Sequence, residues 1–177
     1  MSPLHAALSP RSIVVIGASE NPDKIGGRPL FYLSKHGYRG EVFAVNPKRT
    51  ETQGFLTVPT VDALPTVPDA AIVAVPVKAA VEAVEQCARI GVRVCVVMSS
   101  GFGETASPEG KALEQRMRDT ARAAGMRVVG PNSQGLANFG NGAVLSFSSM
   151  FLEIPPMDGP VGVVSQSGAM SVVPYCM

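Results

Sequence analysis

Three runs of this chain are apolar almost from end to end, without the polar alternation of a half-exposed strand: Ser12–Ile16, Ala70–Val75 and Val92–Met98. A strand of that composition has to be covered on both faces, and a parallel sheet flanked by helices does this. The stretches between the runs carry helical signals. Gly27–Lys35 reads as a helix that stops at His36-Gly37, where glycine can take the left-handed cap conformation. Lys78–Ile90 gathers Val81, Val84 and Ala88 on one face. A third helix has Ser107 as its N-cap, Pro108 at its first position and Glu109 at the positive end of its dipole. In it Leu113, Met117 and Ala121 recur along one stripe, and Gly125 closes it. Two further strands, Glu41–Val45 and Arg127–Val129, complete the order β-α-β-β-α-β-α-β. That order predicts the α/β class, as a Rossmann-like doubly wound parallel sheet.

The pattern loosens in two places. Thr50–Pro68 carries three prolines and little periodicity, so it reads as an irregular crossing with one short strand at most. Leu136–Ser149, rich in Gly, Asn, Ser and Phe, fits a short hairpin or an extended arm. Residues 1–150 are therefore expected to be the sheet domain, and residues 151–160, with Ile154-Pro155-Pro156, a linker. Val161-Gly162-Val163-Val164 then reads as a new strand running into Ser165-Gln166-Ser167-Gly168-Ala169 and a helix start. Residues 161–177 are expected to open a second domain that is incomplete in this chain.

Composition excludes more than it assigns. Fifteen Lys and Arg stand against fourteen Asp and Glu without clustering, which argues against a dedicated nucleic-acid surface. No apolar run reaches the ~18 residues that a membrane span needs, and Met1-Ser2-Pro3-Leu4-His5 lacks the regions of a signal peptide. Cys87, Cys95 and Cys176 match no metal-binding spacing, so no metal site is assigned; they fit reduced thiols in a cytoplasmic protein.

In a doubly wound sheet, ligands lie outside the carboxyl ends of the strands. Those ends here are Gly17-Ala18-Ser19, Asn46-Pro47-Lys48, Val75-Pro76, Ser99-Ser100-Gly101-Phe102-Gly103-Glu104 and Gly130-Pro131-Asn132. The turns at Gly17–Ser19 and Ser165–Ala169 each follow a strand and precede a helix. Such a turn aims backbone N–H groups and a helix dipole at one spot, which suits phosphate. The first turn departs from the dinucleotide fingerprint, which would need glycine where Ser19 and Pro22 stand. The strand end that usually carries an acidic residue for the ribose hydroxyls has Asn46-Pro47-Lys48 instead. A lysine there suits a phosphate-bearing ribose, which points to a cofactor with extra phosphate rather than NAD. Lys24, Arg28, Lys48 and Arg49 are the candidate phosphate cations. Glu104 lies in a glycine-flanked loop before a helix, and Asn132 can bond a ligand amide or satisfy its own turn. His5 and His36 fall outside every motif and read as surface residues.

Together and in this order, the five strand-end segments and Ser165–Ala169 resemble the NDP-forming acyl-CoA synthetases. That group includes succinyl-CoA synthetase α subunits and ADP-forming acetyl-CoA synthetases. The resemblance implies an N-terminal CoA-binding domain followed by a flavodoxin-like domain. It implies that Gly17, Ala18, Ser19 and Lys24 line the nucleotide and phosphate end of CoA, and that Asn46 and Lys48 lie at phosphate. Val75 and Pro76 would border the adenine, Ser100, Gly101 and Glu104 would join the same site, and Asn132 would lie towards the pantetheine thiol. Ser165, Gln166, Ser167, Gly168 and Ala169 would begin a helix that helps to hold a phosphohistidine. That histidine is expected beyond Met177, so no catalytic residue is assigned in this chain. The implied reaction joins a carboxylic acid to CoA at the expense of ATP or another nucleoside triphosphate with Mg, through an acyl phosphate and the phosphohistidine. Further domains or a partner subunit would be needed, and this chain alone is not expected to complete the reaction. Ser133 stands where many relatives have cysteine, which removes a thiol role there.

Two other readings stay open. The same residues would serve a non-catalytic CoA-binding or regulatory module, for instance one fused to an acyltransferase. An NAD(P)-dependent oxidoreductase would need a catalytic Tyr, Lys or His in the cleft; Lys48 and Arg49 admit NADP, but no such constellation accompanies them.

Overall fold

The computed structural model describes residues 2–153 and 157–171. Its main sheet comprises β1 (Ser12–Ile16), β2 (Glu41–Val45), β3 (Glu51–Thr52), β4 (Phe55–Val58), β5 (Ala70–Val73), β6 (Val94–Val97) and β7 (Arg127–Val129). They lie in the order β3-β4-β2-β1-β5-β6-β7, all neighbours parallel except β3, which folds back on β4. The expected doubly wound sheet is thus present. Ile16 is level with both Val45 and Val73, and Val73 with Val97, so the carboxyl ends emerge at one rim.

Successive side chains of a strand point to opposite faces, and β1 shows how both faces are filled. Val14 and Ile16 pack with Val81 and Val84 of α3 (Val77–Ile90) and with Met117 and Ala121 of α4 (Pro108–Ala123). Ile13 and Val15 pack on the other side with Ala6 of α1 (Pro3–Leu8) and with Leu30 and Leu33 of α2 (Arg28–Lys35). Every residue of β1, β5 and β6 is buried, as their apolar runs require. The Ser107 hydroxyl accepts from the Gly110 N–H at 3.0 Å, capping α4. Ser107→Ala is expected to cost about 1 kcal/mol and to lower the melting midpoint by about 3 °C. A midpoint equal to that of the parent chain would show that the cap contributes nothing.

Several sequence expectations are corrected. Thr50–Pro68 is not an irregular crossing: β3 and β4 form a hairpin around Gln53 and Gly54, whose φ values are +51° and +81°, and β4 joins the sheet beside β2. Strands this short leave no readable period and are stabilised by their neighbours. The N-terminal helix α1 was not anticipated. It is capped by the Ser2 hydroxyl, which accepts from His5 N–H at 3.2 Å, and is held by buried Ala6 and Ala7. Leu136–Ser149 does contain a hairpin, β8 (Gly135–Asn138) and β9 (Ala143–Ser146), with β9 against α2.

The chain then forms α5 (Met150–Glu153), which packs back on the sheet domain and takes in the first three residues of the stretch expected as a linker. Phe151 meets Tyr32 edge-on with centroids 5.8 Å apart, and the Lys35 ammonium donates to the Phe151 and Leu152 carbonyls at 3.3 Å each. Val161–Val164 forms no strand. Val161 is 80% and Val164 99% exposed, and a strand exists only where a second one completes its ladder. Residues 154–156 of the expected linker, the helix beyond residue 171 and Cys176 lie outside the described residues. His36 is half-buried rather than a plain surface residue, because the tight turn at Gly142 crowds the end of α2. Burial first, then the neighbouring Lys35 charge, hold its pKa below the ordinary histidine value.

The opposite rim of the sheet carries a brace. The buried Asp69 carboxylate accepts from the Arg11 backbone N–H at 3.0 Å and from Arg11 Nε at 3.1 Å, with Arg93 Nε 3.9 Å away. The Asp69 N–H in turn donates to the Ser12 hydroxyl at 3.1 Å. Nearby, the Tyr38 hydroxyl donates to the Pro10 carbonyl at 2.9 Å.

Candidate functional site

The carboxyl rim begins with a forced glycine. Gly17 has φ +84°, and a Cβ on it would stand 2.5 Å from the Ala74 oxygen and 2.6 Å from Val75 Cγ1. Only glycine lets the ends of β1 and β5 converge so closely, and this is the point where the winding of the sheet reverses. The Gly17 and Ala18 N–H groups both donate to the Val45 carbonyl, at 3.1 and 3.3 Å, which bends the turn over the end of β2. The Ser19 N–H donates to the Gly26 carbonyl at 3.3 Å. A Cβ at Gly26 would stand 2.0 Å from the Gly17 oxygen, so the start of α2 sits directly on the first turn.

The loop between them carries the cations. The N–H groups of Gly27 and Arg28 both donate to the Lys24 carbonyl at 2.9 Å, and Pro29 has none to offer. Attraction for an anion at this helix start therefore rests on side chains more than on free backbone donors. Arg28 braces the loop, through Nε to the Pro22 carbonyl at 3.0 Å and through Nη2 to Asp23 at 3.2 Å. Arg49 pairs with Glu20 at 3.6 Å. Among the described residues, neither Lys24 nor Lys48 takes part in an ion pair, and both are exposed. Asn46 does not face outward. Its Nδ2 donates to the Ala18 carbonyl at 2.8 Å and its Oδ1 accepts from the Lys48 N–H at 2.9 Å, which fixes the turn that presents Lys48.

Farther along the rim, Val75 is half-buried and Pro76 is exposed at the start of α3. The Ser99 hydroxyl donates to the Val75 carbonyl, linking the ends of β5 and β6. Ser100 is exposed and Gly101 half-buried. The Glu104 carboxylate accepts from the Gly101 and Phe102 N–H groups at 2.5 and 3.0 Å, so it braces its own loop. Partial desolvation works to raise its pKa, but the N–H groups of Gly101, Glu104 and Phe102 outweigh this and hold it below the ordinary range. Asn132 follows β7 with φ +53°, its N–H donating to the Ser99 carbonyl at 3.0 Å. Its side-chain amide has no partner among the described residues.

Lys48 and Asn132 thus stand at the two ends of the row. The order β2-β1-β5-β6-β7 puts four inter-strand steps between them, about 19 Å at the usual strand spacing. Only an elongated ligand lying along the rim can reach both.

A cleft of about 280 Å³ opens beside the loop, lined by Asp23, Lys24, Arg28, Gln134, Phe147 and Ser148 among others. The segment Ser165–Ala169 lies next to it. Ser167 accepts from the Met170 N–H at 3.3 Å and opens a single helical turn, and a Cβ on Gly168 would stand 2.4 Å from Gln134 Nε2. Ser165, Gln166, Ser167 and Ala169 are exposed. The described residues contain no group of three or more His, Cys, Asp or Glu placed to hold a metal ion, and no helix long and apolar enough to cross a membrane.

Three contributors escaped the sequence reading. Gly26 and Gly27 are forced by close packing, the latter with a notional Cβ 2.0 Å from the Asn21 oxygen. The pair Gly26-Gly27 was a visible signal; Gln53, which reaches the loop from the β3–β4 hairpin, had none.

Comparison with known proteins adds a consistent finding. Residues 11–138 match the profile of a family described as CoA binding domain. The chain is 36% identical over 173 residues to the α subunit of acetate–CoA ligase (ADP-forming) I of Pyrococcus furiosus, covering 96% of this chain and 36% of that one. It is 35% identical over 167 residues to trans-feruloyl-CoA synthase of an unidentified prokaryote, covering 94% of this chain and 24% of that one. It also superposes on the dinucleotide-forming acetyl-coenzyme A synthetase 1 of Ca. Korarchaeum cryptofilum, solved with phosphate and ADP. There the TM-score is 0.81 at 31% identity, over 98% of this chain and 36% of that one. The chain therefore spans well under half the length of these relatives.

Proposed function

The chain belongs to the CoA-binding domain family, in the form carried by ADP-forming acyl-CoA synthetases, and from that premise we propose that its carboxyl rim holds CoA lengthwise. The observation that carries this reading is the row itself: a tight glycine turn, two exposed lysines beside it that are unpaired among the described residues, and about 19 Å away an asparagine amide likewise without a partner among them. In this arrangement Gly17, Ala18 and Ser19 pass close under the diphosphate, while Lys24 and Lys48 supply charge to the phosphates. Val75 and Pro76 form an apolar shelf for the adenine. Ser100 and Gly101 border the middle of the ligand, and Glu104 acts indirectly by holding their loop in shape. Asn132 orients the pantetheine amides so that the thiol end points away from the phosphates. CoA, when bound, supplies the thiol that becomes the thioester.

The parent activity follows from the same premise. The chain serves an acid–CoA ligase in which a carboxylic acid, CoA and a nucleoside triphosphate give acyl-CoA, nucleoside diphosphate and phosphate, through an acyl phosphate and a phosphohistidine. In this reading the nucleotide and its Mg are held by other parts of the assembly, a further domain or a partner subunit. Ser165–Ala169 would face the phosphoryl-transfer step from beside the cleft. One relative is named for acetate and another for a feruloyl group, at 36% and 35% identity, which supports a choice of acid made elsewhere in the parent protein. Buried, unpaired Cys87 and Cys95 suit a reducing compartment, which supports a cytoplasmic location.

Calorimetric titration tests the reading. The chain should bind CoA at least about tenfold more tightly than NADP or NAD, a gap of about 1.4 kcal/mol. Lys48→Ala should weaken CoA by about three- to tenfold, a loss in the range of one charge-assisted hydrogen bond. Tighter binding of either nicotinamide nucleotide than of CoA would sink the proposal.

A further inference from the structure

We propose that Gln53 is a positioning residue that clasps the loop 19–27 into the shape the bound ligand meets; this rests on the CoA-binding reading above. The Gln53 amide has two N–H donors, and both are used across a long sequence gap. One goes to the Ser19 carbonyl at 2.8 Å and the other to the Gly27 carbonyl at 2.9 Å. These two carbonyls mark the beginning and the end of the loop that carries Lys24 and leads into Arg28 of α2, so a single side chain closes it. The reverse amide orientation would set an oxygen against two carbonyl oxygens, so the donors must face the loop.

The hairpin tip adds a third tie, since the Gln53 backbone N–H donates to Glu20 Oε2 at 3.2 Å. Glu20 also pairs with Arg49, next to Lys48. Loop 19–27 and the segment that presents Lys48 are thereby fixed to one another by the same hairpin. Gln53 holds φ +51°, a conformation non-glycine residues seldom adopt, at the tip of the hairpin from which its side chain reaches the loop. The amide is half-buried and lies under the loop rather than at the open rim, so it acts on a ligand through Ser19 and Gly27.

The experiment compares CoA titrations and amide hydrogen exchange of the full chain with those of Gln53→Ala and Gln53→Glu. Gln53→Ala should bind CoA about tenfold more weakly. Amides of residues 19–27 should exchange about tenfold faster, while β1, β5 and β6 keep their protection. Gln53→Glu adds a readout that a purely structural residue would not give. Ionised, it cannot donate to either carbonyl; protonated, it regains one donor. Its affinity deficit relative to the parent chain should therefore shrink as pH falls from about 7 to about 4, through the range in which a glutamate takes up its proton. Equal CoA affinity in parent and Gln53→Ala overturns the clasp and leaves the CoA reading intact. Loss of protection across β1, β5 and β6, or a Gln53→Glu deficit that does not change with pH, also overturns it. Absence of CoA binding by the parent chain brings down both proposals.

Discussion

Gly17→Ala is expected to lower the stability of this chain by about 3–5 kcal/mol, among the largest effects of any single methyl group. Two costs combine. An alanine at φ +84° carries a penalty of roughly 1–2 kcal/mol for the left-handed region. The new methyl would also stand 2.5 Å from the Ala74 oxygen, a backbone atom just past the end of β5 whose own N–H is tied to the Ile16 carbonyl. Strands β1 and β5 would have to part at the point where the proposed ligand crosses. The melting midpoint should drop by about 10 °C or more for a chain of this size, and CoA binding should be lost. Gly54→Ala is the matched control. Gly54 has nearly the same φ, +81°, but open space where its Cβ would go, so only the dihedral cost of roughly 1–2 kcal/mol should appear. Similar losses in the two variants would show that the convergence of β1 and β5 is not what requires glycine.

The second large effect lies at the far rim. Asp69→Asn should cost about 2–3 kcal/mol, since it removes a buried carboxylate that accepts several hydrogen bonds and weakens its hold on Arg11. Desolvation alone would raise the pKa of Asp69. The Arg11 side-chain and backbone hydrogen bonds and the Arg11 and Arg93 charges outweigh it and leave the value below the ordinary 3.8. A lowered folded-state pKa contributes stability that is fully present above the unfolded value and is lost as pH falls through the folded one. The difference in melting midpoint between parent and Asp69→Asn should therefore hold at about 5–10 °C from pH 7 to pH 5 and begin to narrow below about pH 4, as pH falls towards the lowered folded value. A gap that persists unchanged at pH 3 would mean that the carboxylate charge is not what is lost.

Much of this architecture can be read from the chain because burial on two faces leaves a compositional mark. Ser12–Ile16, Glu41–Val45 and Arg127–Val129 are strands with the bounds their sequences suggest. Ser107-Pro108 announces α4 because capping is a local interaction. What was missed depends on partners distant in sequence. β3 and β4 comprise two and four residues, too few for a period, and exist because β2 offers an edge to pair with. Val161–Val164 has the composition of a strand, but no described strand lies beside it. The site divides in the same way. The Gly17 turn and the Lys48 strand end are legible, since backbone conformation and strand polarity are encoded nearby. Gln53 is not, because its two bonds span 34 and 26 residues and depend on the hairpin being folded.

The two rims of the sheet also divide the work of the molecule. The Asp69–Arg11 brace ties down the amino ends of the strands, whereas glycine turns, exposed lysines and self-bonded loops occupy the carboxyl ends. A five-residue strand such as β1 holds the two rims about 16 Å apart, beyond the range over which side-chain changes commonly couple. Evolution can therefore rewrite what the open rim grips while the anchored rim keeps the sheet standing, as a tool handle outlasts its interchangeable bits.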